Sequence, residues 1–187
     1  MGGKVMAKEN TIQFTFYGYL NAYYNQNKGK IRTYYKGLTK KILDYNHPEN
    51  ADSWLRVPQY EALEIYIFLK EYLNNKHLSE IFYDWRNKKE RFANRSDISL
   101  FEELDKGVFD KVFKTLETVK QEYANYIFAL TMGVGKTLLM ATCIFYEFLL
   151  AHKFDKDKRF CQNALIIAPD KTVLQSLKEI ETFDKTR

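Results

Sequence analysis

Tyr126-Ile127-Phe128-Ala129-Leu130-Thr131-Met132-Gly133-Val134-Gly135-Lys136-Thr137 is the stretch on which the reading of this chain turns. Its first five residues form a short unbroken apolar run, the pattern of a strand buried on both faces of a parallel sheet. Two glycines follow at once. From Leu138 to Ala151 the chain is apolar apart from Glu147, enough for a helix of about four turns. A charged loop, Asp155 to Arg159, then leads to a second apolar run, Ala164 to Ala168, which Pro169 stops; Thr172 to Phe183 sets Val173, Leu174, Leu177 and Ile180 along one side of a further helix. Strand, helix, strand, helix with short connections predicts a right-handed βαβ crossover, so the expected fold class is α/β with a parallel sheet.

The turn in the middle carries the chemistry. Gly133 and Gly135 stand where backbone N–H groups must curl inward around phosphate oxygens, and a Cβ there would obstruct the turn or its ligand. Lys136 supplies a point charge for the β- and γ-phosphates of a nucleotide. Thr137 brings a hydroxyl able to ligate Mg²⁺, at the first turn of a helix whose N-terminus already favours an anion. Met132, Gly133, Val134, Gly135, Lys136 and Thr137 are therefore the candidate phosphate-binding residues. One position departs from the usual motif: five before Gly135, where Gly or Ala is common, stands Leu130.

Toward the N-terminus, Pro58 opens a run in which Tyr60, Leu63, Tyr66, Ile67 and Leu73 recur at helical spacing, and Asn74-Asn75 closes it. His47 to Ser53 is a turn cluster that separates this run from residues 1–52, a leader in which Thr11 to Leu20 reads as a strand or a short helix and Asn25 to Lys30 as a break. Residues 76–122 are helical in pattern and heavily charged, the signature of a solvated helical insertion, with a break near Ser96 to Leu100.

The chain carries 29 Lys and Arg against 24 Asp and Glu among 187 residues, a formal net charge of +5, and its 45% hydrophobic content excludes a disordered chain. The basic excess is local. Residues 1–41 hold eight bases against the single acid Glu9, with Phe14, Phe16, Tyr17, Tyr19, Tyr23, Tyr24, Tyr34 and Tyr35 interleaved. Bases that neutralise phosphates beside rings that stack on nucleobases could make a single-strand surface; one packed face and one solvated face is the simpler account. Cys143 and Cys161 have no Cys-x-x-Cys spacing, so neither a disulfide framework nor a zinc site is indicated. His47, His77 and His152 are scattered. The longest apolar stretch is shorter than the ~20 residues of a membrane span, and the chain is expected to be soluble and cytoplasmic.

Gly133 to Thr137 in this setting resembles the Walker A motif of the superfamily-two DNA helicases and translocases, the DEAD/DEAH-type group that includes the Res subunit of type III restriction enzymes. Leu55-Arg56-Val57-Pro58-Gln59-Tyr60-Glu61-Ala62 is similar to the L-R-x-x-Q-x-x-A opening of that group, which implies that Gln59 reads adenine. Ala164 to Pro169 with Thr172 and Leu174 resembles motif Ia, which implies that Pro169 and Thr172 contact a nucleic-acid backbone. The resemblance covers residues 53–187 and implies an incomplete RecA-like lobe holding the helical insertion, with ATP and Mg²⁺ as cofactors and DNA as partner. It also implies a second RecA-like lobe further along the same protein, and a possible modification subunit.

In that family hydrolysis needs an Asp-Glu pair placed after motif Ia and an arginine finger from the second lobe. The adjacent acids here, Glu102-Glu103, precede the phosphate loop. The resemblance therefore implies an N-terminal part of an ATP-driven translocase with no catalytic residue of its own and negligible ATP turnover in isolation. Two alternatives stand beside it: a non-catalytic nucleic-acid- or partner-binding module with a vestigial phosphate loop, and a small phosphoryl-transfer enzyme complete in itself, for which a lid arginine or Walker B pair is wanting.

Overall fold

A computed structural model describes residues 3–94, 106–131 and 133–167. Its regular elements are helices: α1 (Gly3–Thr33), α2 (Gly37–Tyr45), α3 (Val57–Ile67), α4 (Leu78–Arg86), α5 (Lys106–Thr118) and α6 (Lys136–Lys153), with a π-helical turn at Phe68–Tyr72 and a 3-10 turn at Glu90–Phe92. The chain divides into two compact units. One comprises residues 1–34 and 68–127, the other 35–67 and 128–187.

In the first unit α1, the π-helical turn, α4 and α5 enclose an aromatic core. Trp85 of α4 is fully buried, stacked on Tyr19 at 5.2 Å and on Phe82 at 6.0 Å, with Phe16 edge-on at 6.2 Å. Phe82 in turn stacks on Phe109 of α5 at 4.9 Å. Tyr23 and Tyr24 of α1 meet Phe92 and Phe68 at 4.9 and 5.2 Å, so Phe16, Tyr19, Tyr23 and Tyr24 of the basic leader go into packing, while Tyr17 stays exposed. The expected break at Asn25 to Lys30 does not occur. Tyr23, Tyr24 and Ile31 are buried on one face of α1, and the Asn27 side chain donates to the Tyr23 carbonyl at 2.9 Å; tertiary packing overrides the weak helix propensity of the asparagines. The expected stop at Asn74-Asn75 is present: both residues are left-handed, φ 57° and 54°, and the Asn75 N–H donates to the Leu69 carbonyl at 2.9 Å.

In the second unit α2 and α3 each pack on α6. Thr39, Ile42 and Leu43 of α2, Tyr60, Leu63 and Ile67 of α3, and Leu139, Tyr146, Leu150 and Ala151 of α6 are buried. Glu147 interrupts the apolar face of α6 without leaving its carboxylate unsatisfied. One oxygen accepts the Tyr66 hydroxyl at 2.6 Å and the other accepts the Cys161 N–H at 2.9 Å. The Glu147 charge and the burial of Tyr66 together push the phenol well above its ordinary range, burial contributing most.

The expected parallel βαβ unit of a RecA-like lobe is overturned: no strand and no sheet occurs among the described residues. Tyr126 to Leu130 and Ala164 to Ile167 are neither helical nor paired in a ladder. Ile127 is 92% exposed, Leu165 87% and Ile167 86%. An apolar run specifies burial, whereas a strand exists only when its N–H and C=O groups pair with a neighbour. No described segment offers that pairing to either run. The helix expected between them does form, as α6.

A cluster in the loop after α6 ties it to the start of α2. Lys36 lies 3.0 Å from the Asp157 carboxylate and 4.1 Å above the Phe154 ring, while the Arg159 guanidinium clasps the same carboxylate at 2.8 and 2.9 Å. The Arg159 hydrogen bond, with Lys36 behind it, holds the Asp157 carboxyl well below the usual carboxylate range, against a smaller opposing effect of burial. Its stabilisation is therefore fully present above the unfolded-state value of about 3.9 and is lost as pH falls through the folded value. Asp157→Asn is expected to cost about 1 kcal/mol at neutral pH. Denaturant melts of the two proteins should differ by a constant amount above about pH 5, and the difference should shrink progressively as pH falls below about 4 toward the folded value.

Candidate phosphate-binding loop

The loop before α6 has the backbone that its sequence requires. Gly133 and Gly135 are both left-handed, φ 76° and 73°, a region closed to most L side chains. Gly135 is the N-cap of α6, and its carbonyl accepts the Leu139 N–H at 3.2 Å as the first turn closes. The amides immediately after it have no partner within the helix, so the positive end of an 18-residue helix opens at this loop. No acidic residue stands in the first turn to neutralise it, and His152 and Lys153 complement the opposite end.

Gln59 reaches this loop across 76 positions of sequence. Its Nε2 donates to the Gly135 carbonyl at 2.9 Å, and its Oε1 accepts the Arg56 N–H at 2.7 Å. Arg56 stands just before α3 and Gln59 is the third residue of that helix, so the side chain reaches back as half of a capping box. The turn before it is fixed in the same way: Asn50 and Ser53 N–H groups donate to the His47 and Asn50 carbonyls, both at 2.9 Å, and the His47 ring meets Tyr60 edge-on at 5.1 Å. A Cβ added at Gly135 would lie 2.5 Å from Gln59 Nε2. Glycine is thus favoured at 135 by its φ, and a side chain there would also displace the end of Gln59 from its bond to the loop.

Lys136 opens α6 on the exposed side of the loop, and its Nζ donates to the Thr131 carbonyl at 3.1 Å. That contact is a weak tether to a solvated carbonyl, and the ammonium can exchange it for an anion held by the loop. Thr137 is half-buried in the first turn. The donor set, with two left-handed glycines, free helix amides, a lysine and a hydroxyl, fits a triphosphate and its magnesium ion.

The structure brings Gln59, Gly133, Val134, Gly135, Lys136 and Thr137 together in one unit. Met132, Pro169, Thr172 and the Glu102-Glu103 pair lie outside the described residues, as does the helix expected from Thr172 to Phe183. Among the described residues no group of His, Cys, Asp and Glu is placed to hold a metal ion, and no helix is long and apolar enough to cross a membrane. Burial, reinforced by the Glu147 charge, pushes the Cys143 thiol up to about 12, which makes it a packing residue and a poor nucleophile at neutral pH. Sequence reasoning missed the bond from Gln59 to the loop. The Arg56-x-x-Gln59 spacing of a capping box was the available signal for half of it.

Comparison with protein-family models, with curated proteins and with solved structures finds no match to this chain.

Proposed function

We propose that this chain is a Mg-nucleoside-triphosphate-binding segment of an ATP-driven nucleic-acid translocase or helicase working in the cytoplasm. The observation that carries the reading is the pair of left-handed glycines, Gly133 and Gly135, at the N-terminus of α6 with Lys136 and Thr137 in its first turn. The loop amides and the helix end take the phosphate oxygens, Lys136 leaves the Thr131 carbonyl to neutralise them, and the Thr137 hydroxyl holds magnesium. The bound triphosphate supplies the chemical free energy of its β–γ anhydride. Splitting that bond calls for an acidic pair and an arginine in addition to the groups of this loop.

DNA as the partner rests on the resemblance of the sequence to the helicase family, with Pro169 and Thr172 as the backbone contacts. Linkage supplies the test, because two ligands coupled through one protein must change each other's affinity by the same factor. Fluorescence anisotropy of labelled single-stranded DNA is expected to report a change in affinity of about fivefold or more when a non-hydrolysable MgATP analogue is added, and Lys136→Ala should abolish that change. DNA affinity indifferent both to the nucleotide and to Lys136→Ala would favour the binding module with a vestigial loop.

A further inference from the structure

We propose that Gln59 is a positioning residue that sets the phosphate loop and leaves the base of a bound nucleotide unread, so the site takes Mg-triphosphates irrespective of their base. The inference rests on the reading of Gly133 to Thr137 as a phosphate site.

A glutamine that recognises adenine must turn both ends of its amide to the purine, accepting from one ring-edge donor and donating to a ring nitrogen. Here both ends are committed to backbone. Oε1 closes the capping box on the Arg56 N–H at 2.7 Å, and Nε2 donates to the Gly135 carbonyl at 2.9 Å. The residue is 2% exposed, which leaves no amide edge facing solvent for a base to approach. Withdrawing the amide would cost the cap of α3 and the anchor of Gly135 together, leaving buried polar groups unpaired.

What Gln59 holds is the residue that aims the loop. The Gly135 carbonyl receives Gln59 on one lone pair and the Leu139 N–H on the other, at 2.9 and 3.2 Å. Those two bonds fix the orientation of the peptide that joins the left-handed cap to α6, and with it the direction of the amides that follow. Gln59 is therefore coupled to phosphate affinity through backbone geometry, and it should influence a ligand that has no base at all.

Calorimetric titration of the 187-residue chain with Mg-tripolyphosphate, MgATP and MgGTP tests this. The wild type is expected to bind MgATP and MgGTP within about threefold of each other. Gln59→Glu keeps the acceptor for Arg56 but turns an oxygen toward the Gly135 carbonyl, and it should weaken all three probes, tripolyphosphate included, by about tenfold. A wild-type preference for MgATP that Gln59→Glu erases while leaving tripolyphosphate untouched would overturn the proposal and make Gln59 a base reader. If the wild type binds neither MgATP nor tripolyphosphate, the phosphate-loop reading itself falls and this inference with it. Should Gln59→Glu not fold, as judged by its helical circular dichroism, the wild-type comparison of MgATP with MgGTP decides alone.

Discussion

Trp85→Ala is expected to lower the stability of the first unit by about 3–5 kcal/mol, the range for emptying a fully packed aromatic site. The indole is completely buried and touches Phe16, Tyr19 and Phe82 from two helices, so its removal opens a cavity bordered by other rings that cannot all collapse into it. For a protein with a total stability of about 5–15 kcal/mol this is a large share. Thermal unfolding followed by circular dichroism should show the transition about 10 °C lower. A shift of a degree or two would mean that Trp85 is not part of a close-packed core.

The second large effect concerns binding and leaves the fold alone. Lys136→Ala should weaken MgATP binding by about 1.5–3 kcal/mol, roughly 10- to 150-fold, because a charge-assisted contact to phosphate is lost. The same substitution should leave the melting temperature almost unchanged. The Lys136 side chain is exposed, and its contact in the free protein is one hydrogen bond to a surface carbonyl, at 3.1 Å. Equal affinity of the two proteins for MgATP, measured by equilibrium dialysis, would remove Lys136 from the site.

Where local pattern and tertiary packing agree, the sequence was readable. The recurrence of Tyr60, Leu63 and Ile67 marks α3, two asparagines mark the end of the π-helical turn that follows, and the change from glycines to apolar residues marks the start of α6 at Lys136. Residues 25–30 misled because asparagine is a weak helix former, and only the burial of Tyr23, Tyr24 and Ile31 on both sides shows why the helix continues. The apolar runs at Tyr126 to Leu130 and Ala164 to Ile167 misled for another reason: hydrophobicity is a property of the segment, whereas strand formation is a property of a pair.

The left-handed turn through Gly133 and Gly135 was legible because its cause is local. Glycine spacing, lysine and threonine lie within five residues, and the left-handed backbone follows from them. The role of Gln59 was not, because one of its two bonds reaches a carbonyl far along the chain. An isolated glutamine in a family-like segment suggests a ligand; its two backbone partners give it a structural task.

The most direct test of the loop as a phosphate site is to follow the backbone amide resonances of Gly133, Val134, Gly135, Lys136 and Thr137 by NMR while MgATP is added. The loop as described predicts saturable shifts concentrated at these five amides, reproduced by Mg-tripolyphosphate and suppressed in Lys136→Ala. Shifts absent from these residues at saturating MgATP would contradict it.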